Sequence, residues 1–312
     1  MQLSNTIKQR FVKDWKLPFH VVQEPIFSYM IDEVDQHFNS KYKLKLLEDV
    51  IETLGSEESF FSEANKVKNS IIQSIQLTPA YKMLQNDKLV KYDIEPNGIK
   101  QKDIYTMENV NRTFISLDLV KANFNVMKMY DNSLTLGFET YDDLVSSVTD
   151  FDYFKKSKYL RQVIFGNMLP KKQQKLQKWV MRQLIEMLHD DVGVDMVDFV
   201  SASADEVLFA IDPKDADKFV DMVKRKLKSN DNTSDFASWV RVEAFTLKSI
   251  GDKKFFVKEF LDGAIEFKGI PSFLFMQVYK RFVNKEVIKM DKMFFHEGYL
   301  ASFEQGVFDE SS

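Results

Sequence analysis

The chain has 312 residues, of which 44% are hydrophobic and 28 are Phe, with a formal net charge of −4. That much apolar side chain supports a sizeable core and excludes a disordered chain, while the acidic balance argues against generalised coating of nucleic acid. Cysteine is absent, which excludes disulfides, thiolate catalysis and zinc–thiolate sites and fits a reducing compartment.

Met1 to Lys16 is charged throughout, unlike a signal peptide, and no run approaches the ~20 apolar residues of a spanning helix. A soluble, cytoplasmic protein with no membrane partner is expected. Lys, Asn and Phe are frequent, as in the products of AT-rich genomes such as many viruses. Residues 1–105 read as a helical N-terminal region. Pro25 to Ile31 leads into Val34 and Phe38 at helical spacing, Lys43 to Ile51 continues, and Gly55 is a stop. Ser56-Glu57-Glu58-Ser59 opens a helix towards Ile75, and Glu95-Pro96-Asn97-Gly98 has turn chemistry.

From residue 106 the pattern changes, and residues 106–250 read as an α/β unit. A strand from Thr113 to Leu117 ends at Asp118, and a helix carries Phe124, Met127 and Met129. Helices follow over Tyr141 to Val148, Tyr159 to Phe165 and Pro170 to about His189, the last with Pro at its first turn. Strands Val197 to Ser201 and Val207 to Ile211 flank Asp205. Then come a helix from Asp212-Pro213 to Lys228 and a strand from Trp239 to Leu247. In residues 251–312, strands Lys254 to Phe260 and Ala264 to Phe267 join through Leu261-Asp262-Gly263, a hairpin signal. A helix from Pro271 to Val283 and an aromatic tail with Phe294, Phe295, Tyr299 and Phe303 complete the chain, packed on the preceding unit. The order predicts an α+β fold, a ferredoxin-like or palm antiparallel sheet with helices on one face.

Two acidic positions end strands in this scheme: Asp118, and Asp205 with Glu206 in the following hairpin turn. If the strands are neighbours, these carboxylates meet at one edge. Leu117-Asp118-Leu119 and Ser203-Ala204-Asp205-Glu206-Val207 resemble, over about residues 110–250, the palm domains of three families. These are the diguanylate cyclases with their Gly-Gly-Asp-Glu-Phe turn, the tRNA-His guanylyltransferases and the CRISPR-associated cyclase/polymerase subunits. The resemblance implies nucleotidyl transfer or nucleotide cyclisation from a nucleoside triphosphate, with Asp118, Asp205 and Glu206 catalytic. It also implies that Asp118, Asp205 and the carbonyl of Leu119 hold Mg²⁺ or Mn²⁺. Two divalent cations would clamp the attacking and leaving oxygens of an in-line displacement. The family glycines are Ser203 and Ala204 here, and the further acidic position is Val120. Asp also suits a helix N-cap and a polar turn without any metal.

From Tyr153 to Ile185 no Asp or Glu occurs, while Lys155, Lys156, Lys158, Arg161 and several later lysines do. Lys171, Lys175, Lys178 and Arg182 share one helical face, where like charges cost a few tenths of a kcal/mol per pair. Arg161, Asn167, Lys171 and Lys175 are therefore candidate ligands for a triphosphate or for an RNA or DNA backbone. A solvated basic face beside acidic segments is the plainer alternative. A non-catalytic protein that binds nucleic acid or a phosphoprotein through residues 153–185 is the competing reading of function. No HExxH, P-loop or nucleophile-elbow motif occurs.

Overall fold

The computed structural model describes residues 2–94, 99, 102–195 and 198–308. The expected turn Glu95–Gly98 and the first residue of the expected strand, Val197, lie outside the described residues. The N-terminal region is helical: α1 (Asn5–Trp15), α2 (Ile26–Phe38), α3 (Ser40–Leu54), α4 (Glu57–Gln76) and α5 (Pro79–Asn86). Local chemistry sets their ends. The Ser4, Ser56 and Thr78 side chains accept from the backbone N–H groups of Ile7, Ser59 and Tyr81, satisfying donors that a first turn leaves free. Gly55 ends α3 at φ 83°, which an L side chain adopts only at a cost.

An antiparallel sheet follows, built from β1 (Thr113–Leu119), β2 (Phe199–Ala202), β3 (Glu206–Ile211), β4 (Val240–Ser249), β5 (Phe256–Phe260) and β6 (Ile265–Lys268). The strand order is β2-β3-β1-β4-β5-β6, so β5 and β6 extend the same sheet past residue 250. Between β1 and β2 run α6 (Ala122–Tyr130), α7 (Tyr141–Ser146), α8 (Asp152–Lys156), α9 (Lys158–Gly166) and α10 (Pro170–Met187). Next, α11 (Ala216–Ser229) joins β3 to β4, and α12 (Phe275–Phe282) follows β6. A separate hairpin, β7 (Met293–His296) and β8 (Tyr299–Ser302), holds the aromatic tail, in which Phe294 stacks on Phe303 at 4.4 Å. The architecture is a mixed α+β fold: a helical N-terminal region, then an antiparallel sheet flanked by helices.

Strand alternation sorts the side chains of β1 between two faces. Ile115, Leu117 and Leu119 join Val207, Phe209, Val242 and Ala244 against Val180 and Leu184 of α10 and Val223 and Leu227 of α11. On the other face Phe114 stacks on Phe245, with Leu208, Leu247, Phe256 and Ile104 beside them. The N-terminal helices share a core with α6 to α9 and with Phe275 and Tyr279 of α12. Helices α1 to α5 therefore pack against the insertion between β1 and β2, an arrangement that positions the site below. Among the described residues no helix is long and apolar enough to cross a membrane.

Several elements differ from expectation: the helix expected from Asp212-Pro213 begins at Ala216, and Glu206, expected in the turn, opens β3. The helix expected from Pro271 begins at Phe275, because Pro271 to Leu274 close a turn through Leu274 N–H to Pro271 O at 2.9 Å. The turn at Asp205 is tight although it lacks the family glycines. Ser203 N–H donates to Glu206 O at 2.8 Å, and the Ser203 hydroxyl accepts from Glu206 N–H at 2.9 Å. Neither Ala204 nor Asp205 has positive φ, so no glycine is required.

Leu184 is fully buried between α10 and the sheet. Truncation to Ala should cost about 2–5 kcal/mol of unfolding free energy, from lost transfer energy plus the cavity. Urea unfolding measures this, and a loss well below 1 kcal/mol would show that α10 does not close the core as described.

Candidate functional site

Register brings the predicted acidic residues together. Asp118 lies opposite Glu206 of β3 on one side and Arg241 of β4 on the other. Leu119 N–H donates to Asp205 O at 2.8 Å, so the Asp205 turn sits against the end of β1. The carboxylates are near enough to interact: burial raises the pKa of Asp118, Arg241 opposes that rise, and Glu206 and Asp205 add to it.

Each carboxylate, however, is already engaged by the protein. Arg241 Nη2 donates to Asp118 Oδ2 at 2.9 Å, and its Nε lies 3.2 Å from Glu243. Glu206 Oε1 accepts from Ser116 Oγ at 2.7 Å and from Lys258 Nζ at 3.3 Å, and Lys258 is only 4% exposed. The Ser203 hydroxyl donates to Asp205 Oδ1 at 3.0 Å. Among the described residues no group of three or more His, Cys, Asp and Glu side chains could hold a metal ion. The expected Mg²⁺ or Mn²⁺ site at Asp118, Leu119 and Asp205 is therefore corrected. A guanidinium and an ammonium supply the positive charge next to these acids, and Val120 supplies no further carboxylate.

The same edge opens into a cleft of about 470 Å³. Its floor runs from Asp118 to Phe124, with Asp205 and Arg241 beside it. Its opposite wall is cationic: Lys158 and Arg161 on α9, and Lys16 just after α1. Lys121, at the start of α6, pairs with Asp142 at 3.0 Å, and Lys121 and Arg161 both lie 5.7 Å from the centroid of the buried Tyr141 ring. Among the described residues no carboxylate lies within ion-pair distance of Lys16, Lys158 or Arg161. Burial pushes the pKa of Lys158 down, and Lys16 and Arg161 push it the same way. Burial also lowers that of Arg161, with Tyr141 and Asp142 partly offsetting it.

One buried carboxylate organises this wall. Asp14, fully buried near the end of α1, accepts from Tyr153 Oη at 2.8 Å, Arg10 Nε at 2.9 Å and Ser157 Oγ at 3.1 Å. Ser157 in turn caps α9, its Oγ accepting from Leu160 N–H at 3.1 Å. Asp14 thus ties the segment bearing Lys16 to the helix start bearing Lys158 and Arg161.

Of the predicted phosphate ligands, Arg161 lines the cleft and Lys171 lines an adjoining hollow that shares Asn123, Gln177 and Asp205 with it. Lys175 points elsewhere. Its Nζ lies 2.5 Å from Asp93 and donates to Lys88 O at 3.2 Å, bracing α10 against that segment. Asn167 is an exposed residue at the end of α9, donating to Val163 O at 3.2 Å. Arg182 pairs with Glu186 at 2.6 Å. Lys16, Lys121 and Arg241 were not legible as site residues, because nothing near them in sequence marks them. For Lys158 the acid-free run around it was such a mark.

No family model matches this chain, and neither a curated protein nor a solved structure matches it. The palm resemblance rests on the chain's own residues.

Burial raises the pKa of Asp14 above its ordinary 3.8, outweighing Arg10, Tyr153 and Ser157. The fold therefore binds this proton more tightly than the unfolded chain does. The cost of ionised Asp14 is fully present above its folded pKa and is relieved as pH falls from that value towards 3.8. Asp14→Asn should remove that part of the pH dependence of urea unfolding. Identical slopes for the two proteins would show that Asp14 does not titrate this way.

Proposed function

We propose that the protein binds a nucleoside phosphate in the cleft at the end of β1, with the phosphates against Lys16, Lys158 and Arg161. The observation that carries this reading is the convergence of these cations with no carboxylate in ion-pair distance among the described residues, Glu266 and Asp142 acting on Lys158 and Arg161 only from further away. Like charges held together repel, and a phosphate offsets that repulsion through charge-assisted hydrogen bonds. Arg161 offers a planar fork suited to phosphate oxygens. Lys158 and Lys16 add point charges.

Two observations favour a nucleotide over a bare anion. The strand order β2-β3-β1-β4, with helical connections after β1 and after β3 and with α10 and α11 on one face, supports the ferredoxin-like or palm assignment. The cleft is also lined by Asp118 and Asp205, the residues that carry the resemblance to the palm families. Nucleotidyl transfer or cyclisation, which the resemblance implies, would be a step beyond this binding. The reading therefore rests on binding. In this setting Asp118 neutralises Arg241 and shapes the cleft floor.

Calorimetric titration with nucleoside triphosphates in EDTA tests the proposal. Arg161→Ala and Lys158→Ala should each weaken binding about tenfold, as loss of a charged hydrogen bond of about 1.5 kcal/mol requires. Asp118→Asn should strengthen binding, because it removes a negative charge from the floor. Absence of triphosphate binding, or affinity indifferent to both cation variants, would overturn the proposal.

A further inference from the structure

The cleft shares lining residues with several hollows: one of about 550 Å³ meets it at Val120, Lys121 and Phe124 and carries the acids Glu139 and Asp235, and two others carry cations. A second hollow of about 470 Å³ lies between α1 and α9 and shares Lys16 and Gln162 with the first. Its lining is more apolar, with Val12, Leu17, Val22 and the ring of Tyr159, and Lys13 Nζ sits 4.1 Å from the centroid of that ring. The third hollow, of about 340 Å³, continues from the other side of the cleft through Asn123, Gln177 and Asp205 to Lys171 on the first turn of α10.

Charge is segregated along this path. The apolar hollow carries Lys13 and Lys16 and no acid. The central cleft adds Lys121, Lys158, Arg161 and Arg241, and the far hollow adds Lys171. Of these seven cations Lys121 pairs with Asp142, and Arg241 with Asp118 and Glu243. The other five have no carboxylate in ion-pair distance among the described residues. The cleft and the two cationic hollows are lined by two acids only, Asp118 and Asp205, in a chain whose net charge is −4. One nucleotide would occupy the central cleft and one neighbouring hollow at most. It would leave the cation at the far end without a phosphate.

We infer that the ligand is single-stranded nucleic acid running through the cleft and both cationic hollows, an inference that rests on the nucleoside-phosphate reading of the central cleft. One phosphate sits at Lys16, Lys158 and Arg161, and a later phosphate passes Lys171. The base preceding the central phosphate enters the apolar hollow against Val12, Leu17 and Tyr159. Strands bound without sequence preference combine a cationic groove along the backbone with apolar or aromatic sites for bases. A duplex keeps its bases stacked inside and has nothing to place in the apolar hollow.

The test is fluorescence anisotropy in EDTA with labelled oligouridylate and oligothymidylate of one, two, four and eight nucleotides, beside a blunt duplex. Affinity should climb at least a hundredfold from one to eight nucleotides. The eight-nucleotide strand should bind at least tenfold tighter than the duplex. Lys13→Glu and Lys171→Glu should each weaken the octanucleotide tenfold or more, and the slope of log affinity against log salt should fall by about 0.7 for each phosphate no longer neutralised. The uridylate and thymidylate arms decide between RNA and DNA. An octanucleotide no tighter than the mononucleotide, equal binding of the duplex, or indifference to both variants would overturn the inference. If wild-type protein then still binds a mononucleotide, the reading of the central cleft survives; if it binds neither, both fail.

Discussion

Strand β1 is hydrogen-bonded along both edges, to β3 on one side and to β4 on the other. That double pairing decides which charges meet. Because side chains alternate with period two, a slip of one residue would send Asp118 into the helix-covered face and Leu117 or Leu119 out of it. The apolar packing of Ile115, Leu117 and Leu119 against α10 and α11 therefore holds the register that sets Asp118 opposite Glu206 and Arg241. The polar edge is placed by the hydrophobic face behind it.

The cationic wall has a different origin. It belongs to helices of the N-terminal region and of the insertion after β1, which share one core. Asp14 joins the two groups at a point where water is excluded, and a buried carboxylate persists only when its hydrogen-bonding capacity is used. Its three donors meet that demand. The consequence is that the segments bearing Lys16, Lys158 and Arg161 are set in place by packing and a helix cap before any ligand arrives, which lowers the ordering cost of binding.

Much of the scaffold was legible because its signals are local. Gly55, Ser56 and Pro170 mark helix ends through backbone chemistry that acts within one turn, and the apolar runs of β1 and β3 identify strands. The meeting of Asp118 with the Asp205 turn also followed from strand order. The role of these acids did not. Arg241 and Lys258 lie on later strands, where an alternating charged residue reads as an ordinary solvent-facing position. Lys175 shows the same gap from the other side. Helical spacing tells which residues share its face, not that Asp93 and Lys88 lie opposite it.

From the amino-acid order alone came the secondary-structure alphabet, the α+β class and the acid-free stretch that contains Lys158 and Arg161. All of these depend on interactions between residues a few positions apart. Tertiary structure alone decided that Arg241 and Lys258 occupy the carboxylates, and that Lys16 joins Lys158 and Arg161 across a shared cleft. Coulombic and hydrogen-bonding partners are chosen by distance in space, and a chain of this length brings together groups that no local pattern connects.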